Sequence, residues 1–205
     1  MTRLWIAVLA LVVLIVASIL VLTSLGRERE YQRLMASGDA ALADEQTYVA
    51  IEAYSGAIAL KNDAMIAYLK RGETYRRRGE LDAALRDLRA AARLDPQATE
   101  PPELLGDVNY SLERYDRAAE GYRSSEELDD RNPRILYKLG LALYRAGDAV
   151  GAMVPLRRAI ELDDRLAGAH YVLGLCLKAR GQVQEATETF EQAVRLSPGL
   201  VAPRE

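Results

Sequence analysis

The sequence contains very few of the residues from which catalytic and metal sites are commonly built. Its 205 residues include one histidine, His170, and one cysteine, Cys176. One cysteine excludes an intramolecular disulfide and leaves the redox compartment open. A His/Cys metal site needs several ligands at suitable spacing, and a nucleophilic unit would have to recruit His170 as its base. We therefore expect no metal, no cofactor and no enzyme activity, and we interpret both residues as packing residues.

The sequence also lacks a large excess of charge of either sign. Its 27 Lys and Arg residues nearly balance its 30 Asp and Glu residues, giving a formal net charge of −3. This balance gives no electrostatic argument for a nucleic-acid partner. Aromatic residues make up only 6% of the chain, and Val and Ile are scarce beyond residue 25. The abundance of Ala, Leu, Arg and Glu favours helix over sheet, so we predict an all-α protein.

One long segment lacks charge altogether. The run from Leu4 to Leu22, LWIAVLALVVLIVASILVL, has Ser18 as its only hydroxyl. At about 1.5 Å per residue, a helix of this length crosses a hydrocarbon core of roughly 30 Å. We interpret residues 4–25 as a transmembrane anchor, with an N-terminal tail at 1–3 and a linker at 26–30. The alternative is a signal peptide that is cleaved near residues 24–26.

The side of the membrane on which the rest of the chain lies depends on the flanking charges. Arg3 precedes the apolar segment, whereas Arg27, Arg29 and Arg33 follow it. The positive-inside rule therefore favours, by about one charge, a cytoplasmic location for the rest of the chain. A cleaved signal would instead make that part secreted or periplasmic.

Beyond the apolar segment, the sequence repeats with a fixed period. Glycines recur every 34 residues, at Gly38, Gly72, Gly106, Gly140 and Gly174. Each is followed twelve residues later by an alanine: Ala50, Ala84, Ala118, Ala152 and Ala186. Four residues further on comes a large side chain: Tyr54, Leu88, Tyr122, Leu156 and Phe190. A fixed period of this length is typical of solenoids and repeat arrays.

At these positions the sequence resembles the tetratricopeptide repeat family, which has a small residue at position eight and alanine at position twenty. Pro96 and Pro198 also occupy the proline position near the end of that repeat. The predicted repeats are residues 31–64, 65–98, 99–132, 133–166 and 167–200, followed by a tail at 201–205. The resemblance implies a right-handed α-solenoid of five helical hairpins, preceded by a single transmembrane helix.

The physical chemistry of the residues agrees with helical hairpins. Small residues at positions eight and twenty let the two helices of a hairpin approach closely, and the large residue fills the remaining gap. Gly79, Gly147 and Gly181 lie where each first helix must end and the chain reverse. Pro155 falls inside a predicted helix, but Gly151, four residues earlier, has no side chain to obstruct it. We expect a tolerated kink there.

The resemblance also implies a groove that binds protein or peptide partners along the first helices of the hairpins. The residues that it places in this groove are Arg76, Arg77, Tyr110, Arg134, Tyr137, Tyr144, Arg145, Tyr171 and Lys178. Tyrosine offers a large contact area and arginine holds carboxylates, so we expect a partner with acidic and apolar residues. Some of these tyrosines could instead pack hairpin against hairpin. The family's clamp for acidic chaperone tails is not expected, because Met35 and Asp39 replace its lysine and asparagine.

Two functions follow from this pattern. The first is a membrane-anchored scaffold that binds a partner protein in the groove and supports assembly of a membrane-associated complex. The second is a self-associating structural protein, because only five residues follow the fifth repeat and no covering helix is expected there. In that case the face of residues 185–196 would contact a second copy.

Overall fold

The chain is built from helices only. The computed structural model describes residues 2–199, and this part of the chain contains ten α-helices and no strand. They are α1 (Thr2–Ala43), α2 (Thr47–Leu60), α3 (Met65–Arg77), α4 (Leu81–Leu94), α5 (Glu100–Ser111), α6 (Tyr115–Leu128), α7 (Pro133–Arg145), α8 (Ala149–Leu162), α9 (Ala167–Ala179) and α10 (Val183–Leu196). The all-α prediction is confirmed.

The helices form five antiparallel hairpins stacked in chain order. The C-terminal part of α1 packs against α2, and the pairs α3–α4, α5–α6, α7–α8 and α9–α10 follow. Each second helix also contacts the first helix of the next hairpin. Four clusters of buried apolar residues span these junctions, so stacking the hairpins buries their apolar faces. First helices of neighbouring hairpins also contact each other; for example, α7 contacts α9. The first helices therefore line the inner side of the stack. The predicted solenoid of five hairpins is confirmed.

Within each hairpin, the periodic glycine lies against the large residue of the second helix. A Cβ atom added to Gly38 would lie 2.5 Å from Cε1 of Tyr54, and one on Gly106 would lie 2.6 Å from the ring of Tyr122. These distances are too short for a carbon side chain, so glycine sets the spacing of the two helices. All ten small residues that the sequence singled out for packing are buried.

The turn between the two helices of each hairpin uses one left-handed residue. Gly79, Gly147 and Gly181 have φ angles of +76°, +91° and +75°. Glu45 and Glu113 occupy the equivalent turn position in the first and third hairpins with φ angles of 60° and 57°. The left-handed region is unfavourable for a residue with a Cβ atom, so these two glutamates are locally strained.

Helix α8 continues through Pro155 without a break. Its first turn is capped by Asp148, whose Oδ1 accepts a hydrogen bond of 2.7 Å from the backbone N–H of Gly151. A Cβ atom on Gly151 would overlap the Asp148 carboxylate. Gly151 therefore leaves room both for this cap and for the proline ring that follows one turn later.

Helix α1 joins the apolar segment to the first hairpin without interruption. Its 42 residues include the predicted anchor and the predicted linker at 26–30, which is helical. Residues 11–27 of this helix are all exposed, so the apolar side chains find no partner in the rest of the chain. Within residues 2–199, α1 is the one helix long and apolar enough to cross a membrane, a test that an N-terminal signal sequence also passes. The predicted C-terminal tail at 201–205 lies outside the described residues.

Candidate protein-binding groove

The predicted groove residues at the C-terminal end of the stack include three exposed cationic side chains. Arg134 and Arg145 lie at the two ends of α7, and Lys178 lies near the end of α9. The side chains of Arg134 and Arg145 make no ion pair or hydrogen bond within residues 2–199. Their guanidinium groups are therefore available to carboxylates of a partner.

The tyrosines of the predicted groove are half-buried. A Cβ atom on Gly168 would lie 2.9 Å from the hydroxyl of Tyr137, so this ring packs on the next hairpin. Burial raises the pKa of Tyr137. The ring of Tyr171 lies against Phe190 with a centroid distance of 5.6 Å, and Tyr110 meets the edge of Tyr115 at 5.3 Å. These side chains hold hairpins together and present only part of their surface to the groove.

The three consecutive arginines at the end of α3 have three different environments. Arg77 is exposed and pairs with Glu73 at 2.8 Å. The Nε of Arg76 is buried and has no hydrogen-bond partner among the described residues. Arg78 pairs with Glu80, and its guanidinium lies 3.4 Å from the ring centroid of Tyr48. The three arginines therefore do not form one cationic patch, because Arg77 lies on the surface while Arg76 and Arg78 are partly buried against neighbouring side chains.

Between α3 and α5, the inner surface contains a concavity of about 310 Å³. Its lining combines apolar and acidic side chains: Ile66, Leu69, Lys70, Glu73, Glu100, Glu103 and Leu104. Glu73 pairs with Arg77 and Glu103 pairs with Lys138, whereas the Glu100 side chain makes no ion pair within residues 2–199. This part of the groove therefore has one unpaired carboxylate, whereas the C-terminal end has the unpaired cations Arg134 and Arg145.

Two equivalent polar clusters connect neighbouring repeats along the groove. In the first, Oδ1 of Asp39 accepts hydrogen bonds of 2.7 Å from both the Tyr54 hydroxyl and the Lys70 ammonium. In the second, Oδ1 of Asp107 accepts hydrogen bonds of 2.8 Å from Tyr122 and 2.9 Å from Lys138. Lys138 also donates to Glu103 at 2.6 Å.

These clusters shift the titration of their members. Burial disfavours ionisation of Asp39, but the hydrogen bonds from Lys70 and Tyr54 outweigh it, so the pKa of Asp39 is lowered. Burial and the nearby Asp107 charge raise the pKa of Tyr122 above its ordinary value. Neither lysine is among the groove residues predicted from the sequence. Their spacing of two repeats, each 31 residues after the aspartate, is a signal that could have identified them.

Arg71 makes an ion pair within the second hairpin and a hydrogen bond to the first. Its guanidinium donates to both carboxylate oxygens of Asp87 on α4, at 2.6 Å and 2.9 Å, and its Nη1 donates to Ser55 on α2 at 2.9 Å. Asp87 is buried, so this two-pronged pairing offsets the cost of removing its charge from water. Arg71 thus has a structural role at this junction.

The two residues considered for chemistry lie in the packed interior of α9. Cys176 is fully buried, and burial raises the pKa of its thiol to about 11. A ring nitrogen of His170 lies 3.0 Å from the carbonyl oxygen of Asp164. Residues 2–199 contain no group of three or more His, Cys, Asp or Glu side chains that could hold a metal ion.

Sequence models of one repeat family match three parts of the chain. A tetratricopeptide repeat model matches residues 35–99, a TPR repeat model matches 106–147, and another tetratricopeptide repeat model matches 167–200. Together these segments include part of every hairpin.

Two characterised proteins share part of this sequence. The small glutamine-rich tetratricopeptide repeat-containing protein 2 of Mycosarcoma maydis is 32% identical over 111 residues, which are 54% of this chain and 31% of that protein. The Hsp70-Hsp90 organizing protein 3 of Arabidopsis thaliana is 31% identical over 93 residues, 45% of this chain and 17% of that protein. This chain thus matches less than a third of either relative. Met35 is buried and Asp39 is bound to Lys70, so neither position offers a cation to an acidic tail.

Solved structures with the same fold cover most of the chain. A crystal structure of MamA is 24% identical, with a TM-score of 0.75, and the match covers 78% of this chain and 94% of that one. YrrB, described as a TPR protein with an unusual peptide-binding site, is 20% identical, with a TM-score of 0.73, covering 81% and 86%. At this level of identity, the similarity shows the fold.

Proposed function

We propose that this chain, which is a tetratricopeptide repeat protein, is a membrane-anchored scaffold that binds a partner protein along the inner side of its five hairpins. The observation that carries the proposal is the pair of arginines on α7, Arg134 and Arg145. Both are exposed beside half-buried tyrosines and have no carboxylate partner within residues 2–199. Cations left unpaired next to aromatic surface are typical of protein-binding surfaces.

The groove changes its charge along the stack, and this defines the partner more closely than the sequence did. The concavity between α3 and α5 has the unpaired carboxylate of Glu100 and is partly apolar, and Ile66 within it is 43% exposed. A segment with apolar and basic residues at one end and acidic residues at the other complements both parts of the groove. The partner is therefore an extended or helical segment with basic residues near one end and acidic residues near the other. The sequence alone led us to expect only acidic and apolar residues in this partner.

Site-specific photo-crosslinking tests the groove in the full chain in its membrane. A benzoyl-phenylalanine crosslinker in place of Arg145 should capture a defined partner, and the charge reversal Arg134→Glu should remove that crosslink. The matched control places the same crosslinker at Arg158, which is exposed on the second helix of the same hairpin. Equal capture at both positions, or capture unaffected by Arg134→Glu, would contradict the groove assignment.

The anchor is the second part of the proposal. The exposed apolar part of α1 and its direct continuation into the first hairpin support a helix that stays attached to the repeats. After alkaline extraction of membranes, the intact 22.7 kDa chain should remain in the membrane pellet. A soluble product whose N-terminus lies near residues 24–26 would instead show a cleaved signal.

Self-association through the last hairpin has less support. Outward-facing residues of α10 are mostly polar and include Gln184, Glu188, Glu191 and Arg195. Its apolar residues Ala186, Phe190 and Ala193 are buried against α9. We expect the detergent-solubilised chain to be a monomer by light scattering after size exclusion. An oligomer dispersed by Glu188→Lys or by Glu191→Lys would favour the structural function.

A further inference from the structure

Helix α1 connects the apolar segment to the first hairpin without a flexible joint. Residues 26–30, for which the sequence predicts a linker, lie within the helix, and α1 contains no proline. The last apolar residue is Leu25 and the first charged one is Arg27, so the proposed anchor leaves the hydrocarbon core near Gly26. The height of the first hairpin above the membrane then follows from helix geometry.

The α2–α3 link, residues 61–64, returns to the part of α1 that directly follows the apolar segment. The ammonium group of Lys61 lies 2.5 Å from a carboxylate oxygen of Glu28 and 4.7 Å from the ring centroid of Tyr31. Glu28 and Tyr31 lie about 5 Å and 9 Å beyond Leu25 along the helix axis. Side chains on a helix lean towards its N-terminus, which here is the membrane side. The link therefore lies within about 10 Å of the hydrocarbon core.

This height corresponds to the headgroup layer of a bilayer. A bilayer of about 40–45 Å with a hydrocarbon core of about 30 Å has headgroup layers of about 5–8 Å on each side. A helix tilt of about 20° would raise or lower the link by about 3 Å, because α2 lies about 9 Å to the side of α1. A tilt of this size leaves the link within that layer or directly next to it.

The side chains at this end of the hairpin suit an environment of phosphate groups and water. Arg27 and Arg29 are exposed and make no ion pair within residues 2–199. Guanidinium groups bind phosphate oxygens, and the exposed amide of Asn62 is a further donor. Asp63 is the one carboxylate in residues 26–30 and 61–64 that has no ion pair. The unpaired cations therefore outnumber the unpaired carboxylates beside the membrane.

We infer, resting on the membrane anchor of the proposed function, that the α2–α3 link is a surface that contacts phospholipid headgroups and that α1 holds it there. The pairing of Lys61 with Glu28 ties the end of α2 to α1 at this height. One continuous helix then carries the stack at a fixed distance from the membrane, and the repeats do not hang on a flexible tether.

A fixed first hairpin also fixes the direction of the groove. Helix α3 follows α2 after a short link and packs against it, so α3 runs parallel to α1. Ile66 at the start of α3 therefore lies about 15 Å closer to the membrane than Arg76 near its end. The concavity between α3 and α5 occupies the membrane end of the groove, and the basic and apolar end of the proposed partner lies next to the membrane.

Fluorescence quenching in vesicles measures the height of the link in the full chain. The chain carries Asn62→Cys, labelled with an NBD fluorophore, in a Cys176→Ala background, which should fold because Ala142 occupies the same position in the fourth repeat. Phosphatidylcholine vesicles contain either a lipid with a nitroxide on its headgroup or one with a nitroxide deep in its acyl chain. The matched control, Ala43→Cys, places the label at the other end of the same hairpin, about 27 Å beyond Leu25.

The headgroup nitroxide should quench the label at residue 62 at least about twofold more than the label at residue 43, and the acyl-chain nitroxide should quench neither. Inserting Glu-Ala-Ala-Ala-Lys-Ala-Ala between Gly26 and Arg27 adds about two helical turns and should raise the link by about 10 Å. Quenching at residue 62 should then fall to the level at residue 43. The insertion precedes the hairpin contacts of Glu28 and Tyr31, so circular dichroism should show that the repeats remain folded.

Equal headgroup quenching at residues 62 and 43 would overturn the inference, and so would quenching at residue 62 that the insertion leaves unchanged. Flotation of the vesicles separates these results from a failure of the anchor. A chain that does not float with the vesicles lacks the anchor of the proposed function, and the headgroup contact fails with it. A chain that floats without quenching at residue 62 keeps the anchor and overturns only the headgroup contact.

Discussion

The ammonium group of Lys138 lies 2.9 Å from Oδ1 of Asp107, across the junction between the third and fourth repeats. The same oxygen accepts the hydroxyl of Tyr122. Asp39 has equivalent contacts with Lys70 and Tyr54, 68 residues earlier. The first and third junctions between repeats are therefore connected by the same Asp–Lys–Tyr cluster. The second and fourth junctions lack it. Glu73 and Leu104 occupy the aspartate and lysine positions at the second junction, and Leu141 and Val172 occupy them at the fourth.

Asp107→Asn should destabilise the stack, because it removes a charge that two donors share. We expect a loss of about 1–2 kcal/mol in the free energy of unfolding, measured by urea titration with circular dichroism. Asp116→Asn is the control, since Asp116 is exposed on α6 and its side chain has no partner within residues 2–199. An equal loss in the free energy of unfolding in both variants would show that the contacts of Asp107 with Lys138 and Tyr122 do not stabilise the stack.

The lowered pKa of Asp39 predicts a dependence of stability on acid. A carboxyl with a lower pKa in the folded state stabilises the fold above its unfolded pKa of about 3.9, and this contribution is lost as pH falls through the folded pKa. Asp39→Asn should therefore lower stability at neutral pH and narrow its difference from the unmodified chain below about pH 4. Thermal melts of both chains across pH 3–7 measure this difference in stability. A difference that stays constant with pH would contradict a lowered pKa of Asp39.

Gly106→Ala should destabilise the third hairpin by about 1–3 kcal/mol, because the new Cβ atom would meet the Tyr122 ring at 2.6 Å. Gly72→Ala tests the same position in the second hairpin, where the nearest atom is Cγ of Leu88 at 3.0 Å. We expect a smaller loss there, since the neighbour needs to move less. Equal urea midpoints for the two variants would show that the crowding at Gly106 is relieved without cost.

Glu113→Gly should stabilise the chain by about 0.5–1 kcal/mol. Relief of a left-handed backbone at φ 57° is worth roughly 1–2 kcal/mol, and the greater freedom of glycine in the unfolded chain offsets part of it. Gly147→Ala is the reverse change: nothing lies within 4 Å of the new Cβ atom, so only backbone strain destabilises it. Thermal midpoints should move in opposite directions.

The thiol of Cys176 should react slowly. It is fully buried, and its pKa of about 11 leaves little thiolate at about pH 8. We expect its reaction with an aromatic disulfide reagent to be at least about 100-fold slower in the folded chain than in denaturant. Ser37→Cys in a Cys176→Ala background provides an exposed thiol for comparison. Equal rates for the two thiols would show that the interior of α9 opens readily.

Much of the fold was predictable because the repeat places the same requirement on five hairpins. The periodic glycines, the alanines and the large residues each mark one contact that recurs, so composition and spacing predicted helices and their close packing, and the resemblance to the tetratricopeptide repeat family implied the stacked solenoid. The strained backbone at Glu113 was harder to predict from the sequence. Its only sign is that three equivalent turn positions are glycines, which indicates that the turn needs a left-handed residue.

The amino-acid sequence by itself determined the helical hairpins, their number and the apolar N-terminal helix, because these depend on periodicity and on runs of one residue type. Tertiary structure alone decided which charged groups remain available. Lys70 and Lys138 pair across repeats, Arg76 is partly buried, and Arg134 is exposed, although all four are cationic residues on first helices. The reason is physical: whether a charge is available depends on what the neighbouring hairpin places within about 3 Å of it, and spacing along one chain does not specify that distance.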